Sequence, residues 1–202
     1  MRKRALLLAA LGAAAAVVPV AVSGASDGPH ARVADICSKE RWPVKTLSDS
    51  RVGMVNFRPK TTTISALRKL RGPEVHDSTP RMRGSIETQT YTVKARLVEI
   101  ALSSNDRDVK LVIADPRNSR YRMMTEFPDT TCDGASSSPK RDAMAAARAA
   151  IIRRFGMPSS DWRMISGTAT ITGIGFIDDA HPMEGSVSVA KFVELHPVLS
   201  FR

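Results

Sequence analysis

Tyr91-Thr92-Val93-Lys94-Ala95-Arg96-Leu97-Val98-Glu99-Ile100-Ala101-Leu102 carries two patterns end to end. Tyr91, Val93, Ala95 and Leu97 alternate with Thr92, Lys94 and Arg96, which is the two-residue period of a half-buried strand. After Leu97 the apolar positions change phase to Val98, Ile100 and Leu102. A slip of phase with no turn residue to explain it signals a bulge, or one strand long enough to serve two surfaces. A long, bulged first strand of that kind suits a small closed barrel.

The chain downstream supports this. Ser103 to Asp108 is a polar turn, and Val109 to Ala114 reads as a second strand. Asp115-Pro116-Arg117-Asn118-Ser119 is a turn in which proline pre-sets the backbone. Tyr121, Met123, Thr125 and Phe127 alternate as a third strand. A helix over 139–155 follows, with Ser138 as N-cap, Pro139 in the first helical position and a stripe of Met144, Ala147, Ala150 and Ile151. Gly156 and Pro158 stop it. Thr168 to Ile177 alternates again, with Gly173 and Gly175 inviting a bulge or sharp bend. A last strand runs from about Lys191 to Phe201. Three strands, a helix and two strands is the order of the OB-fold, a five-stranded Greek-key barrel with a helix between strands three and four. The sequence therefore predicts a mainly β chain with an OB-like barrel domain over residues 85–202.

Upstream, residues 26–84 read as an extended basic arm with one short helix. Thr61-Thr62-Thr63 offers the cap, Ile64, Leu67 and Leu70 form one face, and Gly72-Pro73 ends it. Trp42 is the residue expected to dock this arm on the barrel. Residues 1–25 have the form of a cleaved secretory signal. Arg2, Lys3 and Arg4 precede an apolar run from Ala5 to Val22, and Ser23-Gly24-Ala25 puts small residues at the cleavage site. The expected location is secreted, periplasmic or cell-envelope, with no membrane span left after cleavage.

The 202 residues carry 30 Lys+Arg against 20 Asp+Glu, a formal net charge of +10, with 43% hydrophobic and 5% aromatic residues. These are globular proportions, which exclude wholesale disorder. So few aromatics argue against a surface dense in base-stacking platforms. The positive excess is densest in Arg58, Lys60, Arg68, Lys69, Arg71, Arg81 and Arg83, opposed only by Glu74 and Asp77. Such a patch suits nucleic acid, anionic lipid, an acidic polysaccharide or another anionic polymer of the cell envelope. A solvated linker and helix face is its ordinary reading. Two cysteines are too few for a four-cysteine zinc site or a disulfide-dense scaffold. In an oxidising compartment Cys37 and Cys132 are expected to pair. A bridge across that many residues is worth about 4–5 kcal/mol by the chain-entropy estimate, less native strain.

Several stretches carry a resemblance. They are Glu40-Arg41-Trp42-Pro43-Val44-Lys45-Thr46-Leu47, Leu111-Val112-Ile113-Ala114-Asp115, Thr125-Glu126-Phe127-Pro128 with Cys132, Ala145-Ala146-Ala147-Arg148, Gly173-Ile174-Gly175-Phe176-Ile177-Asp178 with His181, and Glu194-Leu195-His196-Pro197-Val198-Leu199. Together they resemble a group of exported bacterial proteins of unknown function that end in a Glu-Leu-His-Pro-Val strand. The resemblance covers most of residues 37–202 and implies export and an OB-like barrel, without implying a reaction. In that group the loop after the histidine reads Gly-Gln-Thr-Gly, whereas here His181 is followed by Pro182-Met183-Glu184-Gly185.

Asp178, Asp179, His181, Glu194 and His196 are the densest set of possible ligands. Glu194 and His196 are two apart on a strand and share a face. Imidazole with carboxylate suits zinc or manganese, or a general acid–base pair. The same residues can equally brace one another at the barrel rim, and in that case His196→Ala costs about 1–3 kcal/mol, as a lost buried hydrogen bond does. Ligand spacings such as HExxH or CxxC are lacking, as are a phosphate-binding loop, a dinucleotide fingerprint and a nucleophile elbow. Arg96, Arg120 and Arg122 sit on strands without assigned acidic partners, and Tyr91, Tyr121 and Phe176 read as core residues able to stack a base or sugar only if exposed. Two functions follow as expectations. The first is an exported OB-like module that binds an oligosaccharide, a nucleic acid or a protein, with no catalysis and no cofactor. The second is a metal-assisted phosphodiesterase or nuclease-like hydrolase using His181, Glu194 and His196 with zinc or manganese.

Overall fold

The computed structural model describes residues 41–72, 84–178, 185–186 and 193–202. All of these belong to the unit Ala31–Arg202. Residues 1–25, Cys37, Arg81, Arg83 and His181 lie outside the described residues, and so do the expectations that rest on them.

Seven strands are described: β1 (Asn56–Thr62), β2 (Gln89–Leu102), β3 (Val109–Asp115), β4 (Asn118–Phe127), β5 (Arg163–Met164), β6 (Thr168–Ile177) and β7 (Val193–Phe201). Helices α1 (Trp42–Lys45), α2 (Ile64–Leu67) and α3 (Arg141–Phe155) accompany them. The sheet order is β1-β2-β3-β4-β7-β6, and β2 also pairs with β6. That last pairing closes β2, β3, β4, β7 and β6 into a five-stranded barrel. β4 and β7 run parallel, and the other barrel pairs are antiparallel. With α3 between the third and fourth barrel strands, this is the OB-like arrangement that the element order predicted.

β2 does what its two phases require. Thr90 to Arg96 pairs with β6, while Arg96 to Leu102 pairs with β3, and the register shifts between Leu97 and Glu99. The barrel interior holds Val93, Leu97, Ile100, Leu111, Ile113, Met123, Phe127, Ile171, Leu195 and Val198. Phe127 and Phe201 meet edge to face at 5.9 Å. Ile64 and Leu67 of α2 and Ala147 and Ile151 of α3 pack onto the same core. Each fully buried Ile or Leu contributes about 1.5–3 kcal/mol relative to exposure. The two glycines of β6 are needed for closure. A Cβ on Gly175 would lie 2.7 Å from the carbonyl oxygen of Ile86, and one on Gly173 would lie 2.9 Å from that of Pro197. The β6–β7 register shifts at both positions, the irregularity their glycines invited.

Two expectations shift. Helix α3 begins at Arg141 rather than at Pro139, because the Ser138 hydroxyl accepts the Lys140 N–H and caps the turn before the helix. In the stretch read as an arm, α2 forms as expected, capped by Thr63 accepting from the Ala66 N–H. Residues 56–62, however, join the sheet as β1, parallel to β2. Arg58, Pro59 and Lys60 gave no apolar alternation from which to read a strand, because β1 is almost wholly exposed. Trp42 docks as expected. It packs on Cys132 and Ala135, and its Nε1–H donates to the Asp133 carbonyl at 2.7 Å.

Candidate functional site

Alternation on β7 sends Leu195 into the barrel core and turns Glu194 and His196 to the outer face. The same logic places Glu126 outside on β4, beside core residue Phe127, and Lys110 outside on β3, beside core residue Leu111. Lys110 and Glu126 are register partners, with Nζ 3.6 Å from Oε1. Over this outer face lie α1 and the turn that carries Asp106 and Asp108. The resulting layer is closed: Asp108 and His196 are 0% exposed, Glu126 2% and Glu194 4%.

His196 is the centre of the layer. Its Nδ1 is 3.1 Å from Glu194 Oε1 and 3.3 Å from Glu126 Oε2, and its Nε2 is 3.0 Å from Asp108 Oδ2. Phe176 packs against the ring at 5.5 Å between centroids. Lys45, itself buried, reaches Asp106 at 4.0 Å and stands 5.5 Å over the Phe176 ring. Arg41 clamps Glu87 through two nitrogens, at 2.7 and 2.8 Å, and donates to the Ile177 carbonyl. Arg148 donates to the carbonyls of Phe127 and Arg107 and pairs with Asp129.

Burial opposes an imidazolium at position 196, but Glu126, Asp108 and Glu194 outweigh it and raise the pKa to about 10. Burial pushes Glu126 well above the usual carboxylate range, and Glu194 adds to this. Asp108 is raised by burial and then by Asp106, and Glu194 by burial and then by Asp178. Asp106 goes the other way. Burial opposes its ionisation, but Lys45 and the Ser103 hydroxyl hold it below the usual range.

Two features mark this layer. The only non-glycine residues among those described with positive φ are Arg41, Leu47 and Arg107. Arg41 and Leu47 bracket α1, and Arg107 separates Asp106 from Asp108. Left-handed backbone costs an ordinary residue about 1–2 kcal/mol, so the surrounding contacts fix these three bends. In addition, Asp108 Oδ2, Glu126 Oε2 and His196 Nε2 lack a hydrogen bond of good geometry. The three residues can each aim one ligand atom so that all lie within 4.8 Å of one another.

A second, open feature lies on the outer face of β2, β3 and β4. A groove of about 610 Å³ is lined by Arg96, Val98, Ala114, Arg122, Met164 and Ser166 among others, with no carboxylate among the described residues of its wall. Arg96, Ala114 and Arg122 are in register across three strands. The two arginines therefore stand on one face about 10 Å apart by the strand spacing. Its apolar floor includes Val98 and Ala114, which pack in a small cluster with Val112 and Met124.

Of the residues singled out in sequence, Glu194 and His196 come together as expected. Asp178 borders them closely enough to act on Glu194. Cys132 is fully buried, and no cysteine among the described residues is free. The basic patch divides. Arg58 and Lys60 project from β1, Lys69 and Arg71 are exposed after α2, and Arg68 donates to the Arg122 carbonyl at the edge of the groove. Tyr91 and Phe176 are core residues as read, whereas Tyr121 is 43% exposed. Asp108, Glu126, Lys110 and Lys45 were missed. Glu126 had a signal, an acid on an apolar strand directly across from Lys110. Asp106 and Asp108 had none, since they sit in an ordinary polar turn. Compared with family models, with curated proteins and with solved structures, the chain finds no match.

Proposed function

We propose that this chain is an exported OB-like binding module, without catalysis, whose groove over β2–β4 takes an anionic chain. An acidic oligosaccharide or a single nucleic-acid strand has the chemistry the groove calls for. The observation that carries this reading is the pair Arg96 and Arg122, facing one open cleft that no carboxylate among the described residues lines. A guanidinium binds carboxylate, sulfate or phosphate with paired donors. Two of them at about 10 Å match a repeating anion better than a single small one. The apolar floor and Met164, which is exposed, give sugar rings or bases a surface to lie on.

Export rests on residues 1–25, and a bridge from Cys132, buried beside Trp42, to Cys37 would suit an oxidising compartment. No helix among the described residues is long and apolar enough to cross a membrane. The resemblance to exported proteins that end in a Glu-Leu-His-Pro-Val strand fits the same reading. The hydrolase alternative needs a coordination position open to substrate, and the burial of Glu194 and His196 favours the binding module over it.

Fluorescence anisotropy with a sulfated oligosaccharide, a single-stranded oligonucleotide and a neutral oligosaccharide tests this. Affinity for one anionic probe should fall steeply with salt. The double variant Arg96→Gln/Arg122→Gln should reduce it at least tenfold and flatten the salt slope by about two. Equal affinity for the neutral probe, or an unchanged slope in the double variant, removes the assignment.

A further inference from the structure

We propose that Asp108, Glu126 and His196 form an interior site for one divalent metal ion, of zinc or manganese type, that joins the 103–108 turn to β4 and β7. The site is distinct from the groove and does not depend on what the groove binds.

Three observations converge. The first is geometric: one ligand atom from each residue lies within 4.8 Å of the others, on β7, on β4 and on the turn before β3. The second is hydrogen bonding. Asp108 Oδ2, Glu126 Oε2 and His196 Nε2 are buried without a hydrogen bond of good geometry, although Asp108 Oδ2 stands 3.0 Å from Nε2 and Glu126 Oε2 3.3 Å from Nδ1. Donor atoms gathered this closely and this poorly aligned are ones that a shared cation would engage.

The third observation is charge. Among the described residues Asp106, Asp108, Glu126 and Glu194 are buried together, with Lys45 against Asp106 and Lys110 against Glu126. The acids outnumber these ammonium groups, and a divalent cation would offset the excess. One imidazole and two carboxylates are a donor set for zinc or manganese rather than for calcium, which prefers more oxygens. Glu194, 3.1 Å from Nδ1, also holds the imidazole in place. In a layer this closed the ion would enter as the chain folds and do no hydrolysis. Its role would be to join β4, β7 and the turn beneath α1.

The test uses the full chain, purified without chelator or histidine tag. Elemental analysis should find about one zinc or manganese per chain. The protein is then unfolded in urea with chelator, dialysed, and refolded with and without zinc chloride or manganese chloride. The refolded metal-bound form should melt about 5–10 °C higher at a hundredfold excess over Kd. Glu126→Gln keeps the side-chain size and removes one ligand charge. It should cut bound metal at least tenfold while circular dichroism still reports the barrel. Less than a tenth of an ion per chain after refolding with both metals, at an unchanged melting temperature, overturns the proposal. One ion per chain retained in Glu126→Gln overturns the assignment to these residues. Either result leaves the binding of anionic probes at the groove untouched, so the two readings fail separately.

Discussion

The outer surface of one barrel carries charge in two opposite ways. Over β4 and β7 the chain folds α1 and the 103–108 turn across a set of acids and bases and shuts out water. Over β2, β3 and β4 it leaves Arg96 and Arg122 in an open groove with no carboxylate among the described residues that line it. Buried charge must be matched within the protein, since bringing an ion out of water costs several kcal/mol. Exposed charge is screened by solvent and remains free for a partner. The same kinds of side chain are thus closed in one region and open in the other, and what separates the two is the cover of α1 and the 103–108 turn.

The largest effect should come from breaking the closed layer. His196→Ala leaves Asp108, Glu126 and Glu194 without their central partner, and urea unfolding should show a loss of about 3–5 kcal/mol. That exceeds the 1–3 kcal/mol of a single lost hydrogen bond, because three carboxyls converge on one ring. A loss under 1 kcal/mol would mean that the ring carries no charge balance. Next in size is the cover itself. If Cys37 and Cys132 are joined, intact mass should rise by about 2 Da on reduction, and stability should fall by about 2–4 kcal/mol. Two thiols titrating in unreduced protein would remove that bridge.

A smaller and pH-dependent effect is expected at Asp115. Burial opposes its ionisation, but the Ser65 hydroxyl and N–H, the Arg117 N–H and the Arg117 charge outweigh it and hold the carboxyl below the usual range. A depressed pKa in the folded state contributes stability above pH 4. That stability is lost as pH falls through the folded value. Urea midpoints of the wild type and Asp115→Asn should therefore converge between pH 4 and pH 2, and a constant gap would contradict this. The smallest effect should be in the groove. Arg96→Gln/Arg122→Gln should leave stability within about 0.5 kcal/mol of wild type. A larger loss would show that these arginines hold the fold and weaken their part in recognition.

The barrel was legible because its decisive signals are local. The phase slip at Leu97 became the register shift of β2, and Gly173 and Gly175 became the closely packed stretch of β6. Glu194 and His196 were legible as a pair because alternation alone puts them on one face. Asp108 was not, since nothing in Asp106-Arg107-Asp108 states that a positive φ at Arg107 will fold the turn over β7. Lys45 was hidden for a related reason. A lysine in a polar stretch reads as solvated, and its burial depends on a four-residue helix that has no periodicity to detect. Strand β1 was hidden because it buries so little.

That exposure of β1 has a bearing on how the protein behaves in concentrated solution. No strand among the described residues pairs with the outer edge of β1, so its backbone donors and acceptors form a ready seam for another chain. The seam is guarded by its own residues. Pro59 has no N–H to offer and stands where the register with β2 breaks, while Arg58 and Lys60 on either side repel a second copy of the same edge. Part of the basic excess that first suggested a partner is therefore spent on preventing one. In concentrated solution these three residues oppose edge-to-edge pairing of two copies.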